Sequence, residues 1–260
     1  MLTSLRGKLI FIFIILTVSV VIISSGYARY KQRQFALEQA RQRAFIDIHL
    51  IASDIQSVLR WIRRDLLMLR DLPLLRELPA LDGRADRINA EELLLNIARH
   101  HQIFGQILLL DLSGQERVRI DCNRDATCHV PPQNSGNQLD RPYLQAALQL
   151  DPGRILVSPM EAGTNGVEDS SSQLPALLYA TPVTDREGEK TGILVLSVFG
   201  STFLDIIARQ EDELHGGEIY FLLDRDGHYL YHPDQARTPG SKSGSGASFF
   251  REEPELAQWL

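Results

Sequence analysis

Between Leu9 and Ala28 no residue is charged, and LIFIFIILTVSVVII is apolar apart from one threonine and one serine. A chain needs ~20 mostly apolar residues to cross a bilayer, so this stretch is long enough. Ser24, Ser25, Gly26 and Ala28 supply the small residues of a signal-peptide cleavage site, the alternative reading. The length of the apolar run favours an uncleaved anchor. Arg6 and Lys8 precede the run and favour a cytoplasmic N-terminus, and Arg29, Lys31 and Arg33 weaken that bias. The expectation is a cytoplasmic tail at 1–8, a transmembrane helix at 9–28, and everything after residue 28 outside the cytoplasm.

From Tyr30 to about Leu72 the pattern is helical. Ile48, Ile51, Ile55, Val58, Leu59, Ile62, Leu66 and Leu69 recur at three- and four-residue spacing with polar residues between them. The first proline after the span is Pro73. At ~1.5 Å per residue a 30–72 stalk helix reaches ~60 Å. Its apolar face covers a sheet, and its N-terminal half supplies a seam for a homodimer. A second helix is expected from Ala90 to about Arg99, with Asn89 and Glu92 at N-cap and N3 spacing.

Strands dominate the rest. Gln106–Asp111 and Gln115–Ile120 flank a turn at Leu112-Ser113-Gly114. Arg154–Ser158 is short and apolar. Ala176–Val183 and Thr191–Val198 flank Asp185-Arg186-Glu187-Gly188. Asp at a turn start bonds the following backbone, and Gly supplies positive φ. Short helices are expected at Pro142–Leu150 and Ser201–Arg209, and long loops at 122–140 and 159–174. Helices followed by an antiparallel meander give an α+β domain with helices against a sheet.

The stretch LLLDLSGQERVRID (108–121) returns as FLLDRDGHYLYHPD (221–234). Leu109, Leu110, Asp111, Gly114 and Asp121 align with Leu222, Leu223, Asp224, Gly227 and Asp234. A second module of the same design therefore opens after Gly216-Gly217. It includes a Gly/Ser-rich loop at 239–247 and a helix from Pro254. Some 45 residues bury too little surface to hold such a module together. The expectation is that the chain is the N-terminal piece of a longer protein.

These carriers, ILLLDLSGQERVRID, RPYLQAA, ILVSPMEAG, LPALLYATPVTDREGEKTGILVLSVFGSTFLDII and EIYFLLDRDGHYLYHPD with FFREEPELAQWL, resemble the double Cache sensors. Those are paired PAS-like extracytoplasmic domains of bacterial receptors. The resemblance implies a stalk helix, a membrane-distal module at 73–212 and the start of a membrane-proximal module at 216–260. It implies an inner-membrane receptor whose output is a histidine kinase, a diguanylate cyclase or a chemotaxis domain. A membrane-tethered binding or scaffold protein without output is the alternative. The full residue set of the amino-acid-binding subgroup is not found.

A PAS-like sheet cups a small ligand between one face and the helix and loops that cross it, with a few polar groups in an apolar wall. The resemblance puts Arg141 and Tyr143 on the crossing helix, Ser158 at a strand end, and Tyr179 and Thr181 together on one face of a central strand. Arg141 would clamp a carboxylate, so an organic anion is one ligand class. The bland reading makes Arg141 an exposed helix-start residue and Tyr179 a core residue.

Cys122 and Cys128 bracket a short loop, and outside the cytoplasm a disulfide is the first expectation. His129 follows, but no second ligand pair accompanies it, so no metal is expected. Arg117 and Arg119 share one face of a strand, read as a solvated edge. In DRDGHYLYHPD the glycine comes too early for an EF-hand and Gln235 replaces its glutamate. His228 and His232 read as surface residues. The sequence shows no nucleophile elbow, Walker loop, zinc-protease or kinase signature. No catalytic residue and no cofactor is expected here. The formal charge of −6 argues against nucleic acid as a partner.

Overall fold

The computed structural model describes residues 5–77, 83–125, 127–132, 141–158, 160–162, 175–213, 219–234 and 248–257. The module boundary at Gly216-Gly217 and the loop at 239–247 lie outside the described residues, as do 133–140 and 163–174 of the two long loops. The chain forms two compact units, Met1–Ala52 and Ser53–Leu260.

The first unit is a helix, the N-terminal part of α1 (Leu5–Arg70). Its large apolar side chains from Phe13 to Ile23 are all at least half exposed. By length and composition this helix can cross a membrane.

In the second unit α1 turns amphipathic. Ile62, Leu66 and Leu69 are fully buried at three- and four-residue spacing, and Ile55, Val58 and Leu59 pack beside them. Pro73 stops the helix, because its ring disfavours helical backbone in the preceding residue, and it then opens α2 (Pro73–Glu77). Next comes α3 (Arg84–His101), which starts six residues before the expected Ala90. Asn89 is an interior residue and not the N-cap. Asp86 in the first turn and an Arg87–Glu91 ion pair one turn apart support the earlier start.

The sheet is built from β1 (Phe104–Asp111), β2 (Glu116–Cys122), β3 (Cys128–His129), β4 (Leu156–Val157), β5 (Glu161–Ala162), β6 (Pro175–Thr184) and β7 (Lys190–Phe199). Its order is β3-β2-β1-β7-β6-β4, with β5 also on β6, and every pairing is antiparallel. One face carries Ile107, Leu109, Val118, Ile120, Leu194, Leu196 and Val198 against α1, α2 and α3. The other carries Leu108, Leu110, Leu178, Ala180, Ile193 and Val195 against α4 (Pro142–Leu148). Each fully buried leucine or isoleucine contributes about 1.5–3 kcal/mol over exposure, so both faces stabilise the sheet. After β7 comes α5 (Ser201–Glu213).

Gly105 sets which residues face which side. The β1–β7 register slips between Phe104 and Gln106, so Phe104 and Ile107 share the helix-bundle face. A Cβ at Gly105 would come 2.9 Å from the Phe199 ring, which fixes glycine there.

The Asp-x-x-Gly turn occurs three times with one hydrogen-bond pattern. Asp111 Oδ1 accepts the N–H of Ser113 and Gln115, Asp185 Oδ1 that of Glu187 and Glu189, and Asp224 Oδ1 that of Asp226 and His228, all at 2.8–3.0 Å. Gly114, Gly188 and Gly227 take φ of 80°, 91° and 81°. The third turn joins β8 (Leu222–Leu223) to β9 (Tyr229–Tyr231), a separate two-stranded sheet. Short helices α6 (Phe249–Glu252) and α7 (Pro254–Ala257) follow it. Phe221, Tyr229 and Phe249 pack their rings together there.

Candidate ligand-binding face

The α4 side of the sheet has an apolar floor with a polar row across one end. Proline at its first position starts α4, and Leu144 and Ala147 point into the floor. Lys190 Nζ donates to Leu148 O at 3.1 Å, which places a cation at the C-terminal end of α4. Beyond the bulge at Gly105, alternation puts Gln106, Leu108 and Leu110 on this face. Opposite Gln106 stand Asp121 on β2 and Ser197 on β7.

Gln106 is 3% exposed and Ser197 2%. Gln106 Nε2 donates to Asp121 Oδ1 at 2.8 Å, and Arg119 Nε donates to both Asp121 oxygens at 3.0 Å. Arg119 also lies 3.6 Å from Glu116. Arg119 is thus not a solvated edge residue, since its side chain is only 14% exposed. Arg117 pairs with Asp111 at 3.0 Å and is also largely covered.

The five expected ligand residues divide between the two faces. Tyr143 packs against the α4-side floor, and Arg141 Nη1 donates to its hydroxyl at 3.4 Å. Ser158 sits beside Leu178, donating its backbone N–H to Leu178 O at 2.9 Å and accepting the Leu178 N–H on its Oγ at 3.0 Å. Tyr179 and Thr181 alternate with Leu178 and Ala180, so they face the helix bundle instead. Tyr179 is a core residue there, and burial pushes its phenol up to about 12. Thr181 is fully buried, and its hydroxyl donates to Arg154 O at 2.8 Å. Arg141, Tyr143 and Ser158 are therefore on the side of the polar row, and Tyr179 and Thr181 are behind it.

Cys122 and Cys128 are joined by a disulfide that ties β3 to β2, so neither sulfur is free for a metal. Asp224, Asp226 and His228 bring ligand atoms within 4.8 Å of one another, but Asp224 is already committed to its turn. Sequence reading missed Gln106, Ser197 and Asp121. The signal was present: a single glutamine in FGQILLL and a single serine in ILVLSVF interrupt otherwise apolar strands.

The model of the bacterial histidine kinase sensor-domain family matches residues 34–255. The extracellular domain of a candidate histidine kinase, vpHK1S-Z8, has a TM-score of 0.71 and 19% identity, over 84% of this chain and 78% of its own. A domain of a candidate sensory box/GGDEF protein from Vibrio parahaemolyticus has a TM-score of 0.71 and 20% identity, over 84% and 82%. The ligand-binding domain of the Pseudomonas aeruginosa amino-acid chemoreceptor PctC, in complex with GABA, has a TM-score of 0.53 and 19% identity, over 79% and 78%. Comparison with curated proteins finds no match. The fold is the α+β, Cache-type fold expected from the sequence. With the family model matching most of its length, the chain belongs to the bacterial histidine kinase sensor-domain family.

Proposed function

We propose that the chain senses a small organic solute outside the cytoplasm and holds it on the α4 side of the sheet. The carrying observation is the buried polar row Asp121–Gln106–Ser197 at the end of an apolar floor crossed by a short helix. Such a floor with a few convergent polar groups is the usual make-up of a small-ligand site. Arg141 and Tyr143 at the start of α4 and Ser158 on the same side extend the set. The pairing of Arg119 with Asp121 presents both charge signs, which suits a ligand carrying an amine and a carboxylate. PctC, in complex with GABA, supports that class by fold alone.

In this reading residues 9–28 anchor the protein in the bacterial inner membrane, and 73–212 form the sensing module. Residues 216–260 open a second module, and two subunits pair along α1. The output is a histidine kinase or diguanylate cyclase. Ligand binding selects one of two packings of α4 on the sheet, and the helix bundle behind the sheet passes the shift into α1. A thermal-shift screen of amino acids and small carboxylates against residues 1–260 tests this. A compound that stabilises the wild type and fails with the Arg141→Ala/Tyr143→Phe double variant supports the site. Equal stabilisation of both refutes it.

A further inference from the structure

Helices α1 and α3 meet at an ionisable contact in the helix-side core. Asp65 of α1 is 8% exposed, and its Oδ2 is buried with no hydrogen-bond partner among the described residues. His101 Nε2, in the last turn of α3, stands 3.7 Å from that oxygen. The imidazole is held in place by aromatic rings. Trp61, one turn before Asp65, lies 4.7 Å from it between ring centroids, and Phe104 at the start of β1 lies 5.7 Å away. Among the described residues, the titratable groups shown in contact with it are Asp65 from α1 and His100 from its own helix, whose ring is 5.5 Å away.

A buried carboxylate oxygen without a donor is costly. A protonated His101 supplies the missing positive charge, and a neutral one supplies none. Histidine is the side chain whose ordinary charge change falls between about pH 5 and about pH 8. We propose that Asp65 and His101 form a proton-operated latch. Acid fastens α1 to α3, and deprotonation of His101 leaves Asp65 uncompensated and loosens α1 near its C-terminal end. The receptor then reads acidity through the helix that leads to the apolar span, by a contact on the opposite side of the sheet from the proposed solute face. The latch does not depend on that face.

The ring contact provides the reporter, because a protonated imidazole quenches a neighbouring indole. In residues 1–260 carrying Trp259→Phe, Trp61 emission is followed from about pH 8 to about pH 5. Amide exchange of residues 58–69 is measured at both ends. The expected result is loss of Trp61 emission on acidification, with protection factors of these amides, corrected for the intrinsic pH dependence of exchange, rising about threefold or more. His101→Gln removes both effects, Asp65→Asn removes the change in protection, and His100→Gln leaves both in place. An inflection that survives His101→Gln, or unchanged protection factors, overturns the latch. If His101→Gln does not fold, the wild type decides: the protection factors, followed across the same pH range, must rise at the pH of the Trp61 inflection, and a mismatch overturns the proposal.

Discussion

Gln106 Nε2 lies 2.8 Å from Asp121 Oδ1 across the β1–β2 pair, and Arg119 Nε approaches the same oxygen at 3.0 Å. One carboxylate thus joins a buried amide to a largely covered guanidinium. Gln106→Leu keeps the side-chain volume and removes the amide. It should cost about 1–3 kcal/mol, because Asp121 loses one of its buried donors. Urea denaturation measures that cost. Solute binding by the same variant should fall at least about tenfold, since a site built on hydrogen bonds tolerates their loss poorly.

Arg76 ties α2 to the β6–β7 turn. Its Nε donates to Thr184 O at 2.8 Å and its Nη2 donates to Asp185 O, while the Thr191 hydroxyl donates to Arg76 O. Each charged hydrogen bond contributes about 1.5–3 kcal/mol, so Arg76→Ala should lower the unfolding free energy by about 2–4 kcal/mol. Arg76→Lys should recover less than half of the loss, because an ammonium cannot reproduce the two-point fork. Equal stability of the lysine variant and the wild type would remove this assignment.

The Asp111 turn makes the fold acid-sensitive. Burial alone would raise the Asp111 carboxyl. The Ser113 hydroxyl, the Gln115 and Ser113 amides and the Arg117 guanidinium outweigh it and hold the carboxyl below its ordinary value. As pH falls, the unfolded chain takes up the proton first. The contribution is full above the ordinary carboxylate value of about 3.9 and is lost below it. The stability gap between wild type and Asp111→Asn should therefore narrow on going from about pH 6 to about pH 3. Denaturation midpoints at the two values check it, and a constant gap contradicts it.

Tyr179 makes the opposite prediction at high pH. Burial pushes its phenol up to about 12, so the unfolded chain loses the proton first as pH rises. Its contribution is complete below the ordinary value of about 10 and drains away towards the raised one. Ultraviolet titration should show one tyrosine ionising late, absent in Tyr179→Phe. Tyr179→Phe should also unfold less steeply with alkali than the wild type.

The sequence was most informative where local chemistry decides. The three Asp-x-x-Gly turns are legible because aspartate and glycine each meet a local backbone need. The apolar seam of α1 through Ile62, Leu66 and Leu69 follows from helical period alone. Alternation showed that Tyr179 and Thr181 share a face but not which face, because both faces of this sheet are buried. The bulge at Gly105, whose missing Cβ leaves room for the Phe199 ring, turns Gln106 to the α4 side; a lone glycine in a strand hints at a bulge but not at which face the next residue takes. Asn89 looked like a cap because Glu92 follows at the right spacing, yet the helix continues back to Arg84. The Asp65–His101 contact joins segments 36 positions apart, so only the fold reveals it.

Hydrogen exchange tests most directly whether a solute is held under α4. Amides of residues 142–148 and 156–158 should be followed with and without a compound that raises the melting temperature of the wild type. Exchange should slow in both segments, and the slowing should be lost in Gln106→Leu. A stabilising compound that leaves both segments unchanged and protects residues 222–231 instead would contradict it, and would move the sensing site to the second module.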